Sequence, residues 1–102
     1  TAVNNLGLLN HTLGRYRLAR EYYEEAVDVI LQTEGESHRY YTISLTSVAN
    51  CHSIVGEYKK AVELFEKVLA VSEKYDGTKT AGYMYSLNGL ATVQQKRGSY
   101  QE

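Results

Sequence analysis

The sequence predicts an all-α fold made of about two and a half helix-pair units stacked side by side. A Gly-x-Tyr signature recurs every 42 residues, at positions 14–16, 56–58 and 98–100. Sliding residues 5–46 onto 47–88 without a gap gives ten identities in 42 aligned pairs. The chain contains no proline, which suits a nearly continuous run of helices. A constant period of this length indicates stacked repeat units.

The first predicted helix spans residues 2–13. Apolar side chains at Val3, Leu6, Leu9 and Leu13 have the three-and-four spacing of one helix face, so we expect that face to be buried. Gly14 should end this helix, because glycine readily adopts the positive φ of a tight turn.

The remaining helices follow from the same pattern. A second helix is predicted for residues 16–33, with an apolar side that includes Ala19, Tyr23 and Ile30. Glycine-containing loops should follow each helix pair, near residues 34–37 and 76–78. The other predicted helices span residues 38–55, 58–74 and 79–97, and Gly98 should then turn the chain towards a sixth helix. The resulting units are residues 1–37, 38–79 and 80–102.

Composition narrows the classes of partner and location. A net charge of −1 gives no electrostatic reason to expect binding to nucleic acid or to an anionic membrane. No apolar run approaches the roughly 18 residues of a membrane span, and residues 1–20 lack a signal-peptide pattern. The single cysteine, Cys51, favours a reducing compartment. We therefore expect a cytoplasmic protein with neither nucleic-acid nor membrane partners.

The repeated residues resemble the tetratricopeptide repeat. The family's pattern is matched in the first unit by Leu6-Gly7, Gly14, Tyr16, Ala19, Tyr23 and Ala26, in the second by Val48-Ala49, Gly56, Tyr58, Ala61, Phe65 and Val68, and in the third by Leu90-Ala91, Gly98 and Tyr100. The usual period of the family is 34 residues with a closing proline. The period of 42 and the absence of proline resemble the longer-helix subclass found in kinesin light chains and many bacterial arrays.

The resemblance implies a right-handed superhelix of antiparallel helix pairs. The first helix of each pair lines a concave groove that usually binds a peptide or protein segment. The groove positions of the family fall here on short, mostly uncharged side chains and a few apolar ones, namely Asn4, Leu8, His11, Ile43, Thr46, Asn50, Ser53, Tyr85, Asn88, Thr92 and Gln95. The resemblance also places Asn5, Thr12, Ser47, Ile54, Gly89 and Lys96 in the groove.

These side chains favour recognition of an extended main chain. Asn4, Thr46, Asn50 and Asn88 can both donate hydrogen bonds to a peptide backbone and accept them from it. The basic residues of the family's carboxylate clamp are missing, which argues against a chaperone C-terminal tail as the ligand.

The sequence supports a catalytic or metal site less well than it supports a binding groove. Cys51-His52 has no second Cys–His set, and its repeat equivalents at positions 9 and 93 indicate a small core side chain for Cys51. There is neither a nucleophile–base pattern nor a phosphate-binding glycine loop. We therefore expect no enzymatic activity, no cofactor and no metal in this segment.

The sequence leaves three functions open. The first is a scaffold that binds a peptide or protein segment in the groove. The second is a spacer or self-association element, in which Leu87, Leu90 and Val93 on the last helix lack a covering helix and attract a partner helix or a second copy. The third is a sensor array within a larger signalling protein.

Overall fold

The computed structural model describes residues 2–35, 39–75 and 81–101, which form five helices in succession. They are α1 (Ala2–Thr12), α2 (Tyr16–Thr33), α3 (Arg39–Ile54), α4 (Tyr58–Tyr75) and α5 (Ala81–Gln101). Every described residue outside these helices lies in a turn or short connection. The prediction of an all-α helical repeat is confirmed.

Each helix packs against the next one along the chain, and α3 also packs on α5. The molecule is elongated and thin, with principal extents of 44 × 32 × 18 Å. The first helices α1, α3 and α5 therefore form one broad side of the molecule, and α2 and α4 form the other.

The turns within the helix pairs follow from two glycines. Gly14 and Gly56 have φ values of 79° and 90°, as the sequence predicted. The amide N–H of Gly14 donates to the His11 carbonyl, and that of Arg15 donates to the Asn10 carbonyl, at 3.0 and 2.8 Å. These paired bonds form a Schellman motif, which satisfies carbonyls left free at the end of α1. The turn at Gly56 repeats the arrangement.

The core consists of three small clusters at the helix seams. One is formed by Ile30, Tyr41, Leu45, Val68 and Val71, another by Ala19, Tyr23, Val48 and Cys51, and the last by Ala49, Ala61, Phe65 and Val93. Each cluster joins consecutive helices, so no single centre holds the molecule together. This is the arrangement expected of a repeat protein, in which each unit is stabilised by its neighbours.

The prediction that α1 buries its leucine-rich face is wrong. Leu6, Leu9 and Leu13 are 43%, 54% and 57% exposed. Their equivalents in the second unit include Val48 and Cys51, which α2 covers. No described helix covers these leucines, and α1 instead packs on α2 through a neighbouring side that carries the buried Gly7 and Asn10.

Two predictions about the last helix are also wrong. Gly98 does not end α5, which continues to Gln101. One glycine inside a helix costs only about 1 kcal/mol relative to alanine, so a helix can continue through it. Val93 is fully buried against Phe65, so it does not belong to an uncovered face. Leu87 remains 40% exposed and Leu90 is half-buried.

Candidate functional site

The predicted groove residues lie on the side of the molecule formed by α1, α3 and α5, here called the first-helix face. Two open cavities on this face, of about 390 and 280 Å³, bring most of these residues together. The structure thus places the predicted residues near one another, whereas their role in binding stays a prediction.

The first cavity opens beside α1 and α3. Its apolar wall comes from Leu8, Ile43 and Tyr85, which are 57%, 38% and 50% exposed. Solvent-exposed apolar side chains of this size around a concavity are typical of a surface that binds a partner. Its polar wall is formed by His11, Thr46, Ser47 and Asn50.

The second cavity opens beside α3 and α5. Ile54, 40% exposed, supplies an apolar contact. Among the side chains that the structure describes, Lys96 is the one lysine or arginine that lines either cavity. The other residues of its lining are Asn50, Ser53, Phe65, Tyr85, Asn88, Gly89 and Thr92. Asn50 and Tyr85 line both cavities, so together they form the wall between them.

Several hydroxyl groups on this face are already engaged by their own helices. Thr46 Oγ1 donates to the Thr42 carbonyl at 2.8 Å, and Thr92 Oγ1 donates to the Asn88 carbonyl at 2.9 Å. Thr46 is moreover only 9% exposed. These hydroxyls keep lone pairs but have no free proton, so Thr46 is a poorer main-chain donor than the sequence predicted.

The asparagine amides differ from the hydroxyls. Among the described residues, the side-chain amides of Asn50 and Asn88 have no hydrogen-bond partner. Asn50 is half-buried and Asn88 is exposed. Each amide offers two N–H donors and a carbonyl acceptor, which is the complement of a peptide group.

Three further candidates have different surroundings. The Asn4 side chain lies outside the described part of the structure. Gln95 is exposed but lines neither cavity, and Tyr40, an aromatic residue of α3, is 47% exposed and likewise lies outside both. The site is therefore centred on α3, with α1 and α5 as its flanks.

The sequence analysis missed the aromatic rings behind the cavities. Tyr23 of α2 lines the first cavity, and Phe65 of α4 lines the second, although both side chains are at least 96% buried. A Cβ atom at Gly7 would lie 2.7 Å from the Tyr23 ring, and one at Gly89 would lie 2.6 Å from the Phe65 ring. Glycines inside amphipathic helices were the signal that could have revealed these close approaches.

A larger concavity of about 670 Å³ lies on the other side of the molecule, beside α2, α3 and α4. Its rim is charged, and its floor includes Leu45 and Val48, which are at most 4% exposed. Charged side chains outnumber the apolar ones in its lining, where Val27 and Leu64 are half-buried. It is a weaker candidate than the first-helix face in spite of its size.

An ion-pair network closes one end of that concavity. Glu57 Oε1 accepts hydrogen bonds from His52 Nδ1 at 3.1 Å and from Arg20 Nη1 at 3.5 Å, and Lys60 Nζ lies 3.8 Å from Oε2. The hydrogen bond from His52 is the main reason that the pKa of Glu57 lies below its usual range. The network ties α2, α3 and the start of α4 together, which is a structural role.

None of the His, Cys, Asp and Glu side chains that the structure describes form a group of three or more that could hold a metal ion. Burial raises the pKa of Cys51 to about 11, so its thiolate is scarce near neutral pH. No helix in the described part of the chain has the length and apolar character needed to cross a bilayer.

Taken with the repeat, the five helices define an α-helical repeat protein. The family model for the tetratricopeptide repeat matches residues 1–74 and, in a second overlapping match, residues 40–102. The chain belongs to the tetratricopeptide repeat family. Its repeats generally mediate protein–protein interactions and are typically non-enzymatic scaffolds. No curated protein matches the chain.

Proposed function

We propose that this chain is a scaffold that binds a peptide or protein segment on the first-helix face. The observation that carries the proposal is the pair of adjacent cavities that share Asn50 and Tyr85 as a common wall. Exposed apolar side chains can contact ligand side chains, and the free asparagine amides can bond the ligand main chain. The two requirements of peptide recognition therefore occur on one surface.

The test begins with selection of peptides from a displayed random library against the chain. Asn50→Ala and Asn88→Ala should each weaken binding of the selected peptides by about 1 kcal/mol, or about fivefold. Gln32→Ala is the matched control, since it removes an exposed amide of α2 that lines neither cavity. Circular dichroism should show that all three variants keep the helical fold.

The proposal is wrong if the selected peptides bind both asparagine variants as tightly as the wild type. It is also wrong if binding is lost instead through substitution of Glu24, an exposed residue on the other side of the molecule. Failure to select any peptide from a folded chain would favour a spacer function or a folded partner surface.

Self-association is the second candidate, because Met84 and Leu87 are 54% and 40% exposed on α5 beside the half-buried Leu90. Sedimentation velocity should then show a mass that rises with concentration. Leu87→Lys should return the chain to monomers, whereas Leu8→Lys on the first-helix face should not. A monomer at every concentration removes this candidate.

A sensor array within a larger protein would use the same first-helix face. It is therefore a biological setting for the first proposal, and the same peptide selection tests its binding step.

A further inference from the structure

Leu6 and Leu9 of α1 and Val29 of α2 are exposed apolar side chains, here called the end face. They are 43%, 54% and 46% exposed, and none of them lines either cavity of the first-helix face. One repeat period later, the equivalent residues are all buried, namely Val48 (3% exposed), Cys51 (1%) and Val71 (8%). The same positions of the repeat are therefore covered in the second unit and open in the first.

The helix that covers these positions in the second unit is α2. Its Ala19 and Tyr23 share one buried cluster with the first two equivalents, and its Ile30 shares another with the third. The covering helix thus uses a small residue at i, an aromatic residue at i+4 and an aliphatic residue at i+11. Since repeat units pack on their neighbours in the same way, a second helix of this kind has the shape that covers the end face.

The end face is larger than its equivalent in the second unit. Leu6 and Leu9 together exceed Val48 and Cys51 by about three non-hydrogen atoms, and the Tyr23 ring is the side chain that packs on the smaller pair. The same ring against two leucines would overpack the contact. An aliphatic residue at i+4, smaller than tyrosine by about four non-hydrogen atoms, restores the volume.

The contact between α4 and α5 shows the same compensation. Val93 shares a buried cluster with Phe65, and Leu90 packs against that cluster. This first-helix pair is larger than the one in the second unit, and the ring that meets it lacks the hydroxyl of its equivalent Tyr23. A larger pair on the first helix therefore accompanies a smaller side chain at i+4 of the second helix.

The charge beside the end face is also reversed. In the second unit, Arg20 Nη1 of α2 lies 3.5 Å from Glu57 Oε1 at the start of α4. The repeat equivalent of Glu57 is Arg15, an exposed residue just before α2. An arginine at i+1 of the covering helix would bring two positive charges together, whereas an acidic residue there is attracted to Arg15.

We propose that the end face binds the second helix of a further tetratricopeptide unit, one with a small residue at i, an acidic residue at i+1 and aliphatic residues at i+4 and i+11. A second copy of this chain does not supply such a helix. Its α2 and α4 carry an aromatic residue at i+4 and no acidic residue at i+1, and each is already packed between two first helices. The end face therefore selects a unit of different sequence, independently of peptide binding at the first-helix face.

The probe is a helix joined to the chain in the register of the repeat. The chain is extended before Thr1 with a copy of residues 15–42, so that the copied helix precedes α1 as α2 precedes α3. One version keeps the copied sequence, and the matched version carries Arg20→Glu and Tyr23→Leu within the copy. Urea unfolding is followed by circular dichroism. The matched version should have a midpoint about 0.5 M higher than the unchanged version, because only its helix packs on the end face without a clash.

A switched chain provides the reciprocal measurement. Leu6→Val, Leu9→Cys and Arg15→Glu give the end face the residues of the second unit, and all three positions are exposed enough for the fold to tolerate the change. On this chain, under reducing conditions, the unchanged copy should have the higher midpoint. Comparing both copies on both chains removes differences in the intrinsic stability of the copied helices. Leu31→Val, at an exposed leucine outside the end face, is the matched control and should keep the wild-type order.

Each result of this comparison decides the inference. The same order of midpoints on the wild-type and switched chains, or no difference between the two copies, overturns the selection of an acidic and aliphatic helix. If neither copy raises the midpoint of either chain above that of the unextended chain, the end face does not bind a second helix. Peptide selection on the first-helix face is measured separately, so the proposed function stands or falls on its own test.

Discussion

Replacing Gly89 with alanine puts the close contact between α5 and α4 to a direct test. The added Cβ would lie 2.6 Å from Cζ of Phe65, whereas ordinary contacts begin at 3.4 Å. One of the two groups must therefore move by about 0.8 Å, the difference between these distances. The Phe65 ring is 1% exposed and is surrounded by Ala49, Ala61 and Val93, all fully buried. Since this core is close-packed, α5 itself must shift.

Two opposing contributions set the change in the free energy of unfolding that Gly89→Ala causes. Overpacking of this kind costs about 1–3 kcal/mol, and alanine gains about 0.8–1.0 kcal/mol over glycine in a helix interior. We therefore expect Gly89→Ala to destabilise the chain by about 1 kcal/mol in urea unfolding followed by circular dichroism. Ala91→Gly, at an exposed position of the same helix, measures the propensity contribution by itself.

A double variant isolates the clash. Phe65→Leu replaces the ring with a smaller side chain. Gly89→Ala should therefore cost about 1 kcal/mol less in the Phe65→Leu background than in the wild type. The reasoning is refuted if Gly89→Ala stabilises the chain by as much as Ala91→Gly destabilises it. That result would mean that helix propensity acts without any steric conflict.

The other predictions concern a turn, an ion-pair network and a buried thiol. Gly56→Ala should destabilise the chain by about 1–2 kcal/mol, because the φ of 90° at this position is unfavourable for a residue with a Cβ. Gly56→Asn should cost less, since asparagine tolerates positive φ better than alanine does. Equal urea midpoints for both variants and the wild type would contradict this prediction. In the folded chain the pKa of Glu57 lies below its ordinary value of 4.5. The network therefore contributes stability above pH 4.5, and this contribution is lost as the pH falls through the folded-state pKa. Urea unfolding from pH 6 to pH 3 should therefore show a weaker acid dependence for Glu57→Gln than for the wild type or the control Glu63→Gln; identical curves would count against the network. A rise in the pKa of Cys51 from 9.0 to about 11 lowers its thiolate fraction near pH 8 by about 100-fold, so iodoacetamide should alkylate the native chain at least that much more slowly than the urea-unfolded chain; similar rates would exclude a buried thiol.

The turns and helix positions were accessible from the sequence because they depend on local properties. Gly14 and Gly56 occupy positions that require positive φ, and the 42-residue period fixed where each turn recurs. Gly98 has the same signature but lies inside α5. The difference is physical, since a glycine permits a turn without enforcing one.

The predicted site residues likewise differ in how much of their surroundings the sequence could predict. The resemblance to the family placed Leu8, Ile43, Asn50 and Tyr85 in one groove, and the structure brings them around the first cavity. The sequence did not reveal that the hydroxyl of Thr46 is engaged by its own helix, because that depends on a rotamer.

By itself, the sequence determined the helical class, the repeat period and the family, because periodicity, glycine turns and the absence of proline act within one helix or one turn. Only the tertiary structure decided which apolar side chains are buried. Leu6 and Leu9 satisfy the same helical pattern as Val48 and Cys51, yet the first pair is exposed and the second is covered by α2. The physical reason is that burial belongs to a pair of surfaces, so an apolar face is removed from water only where another helix lies against it.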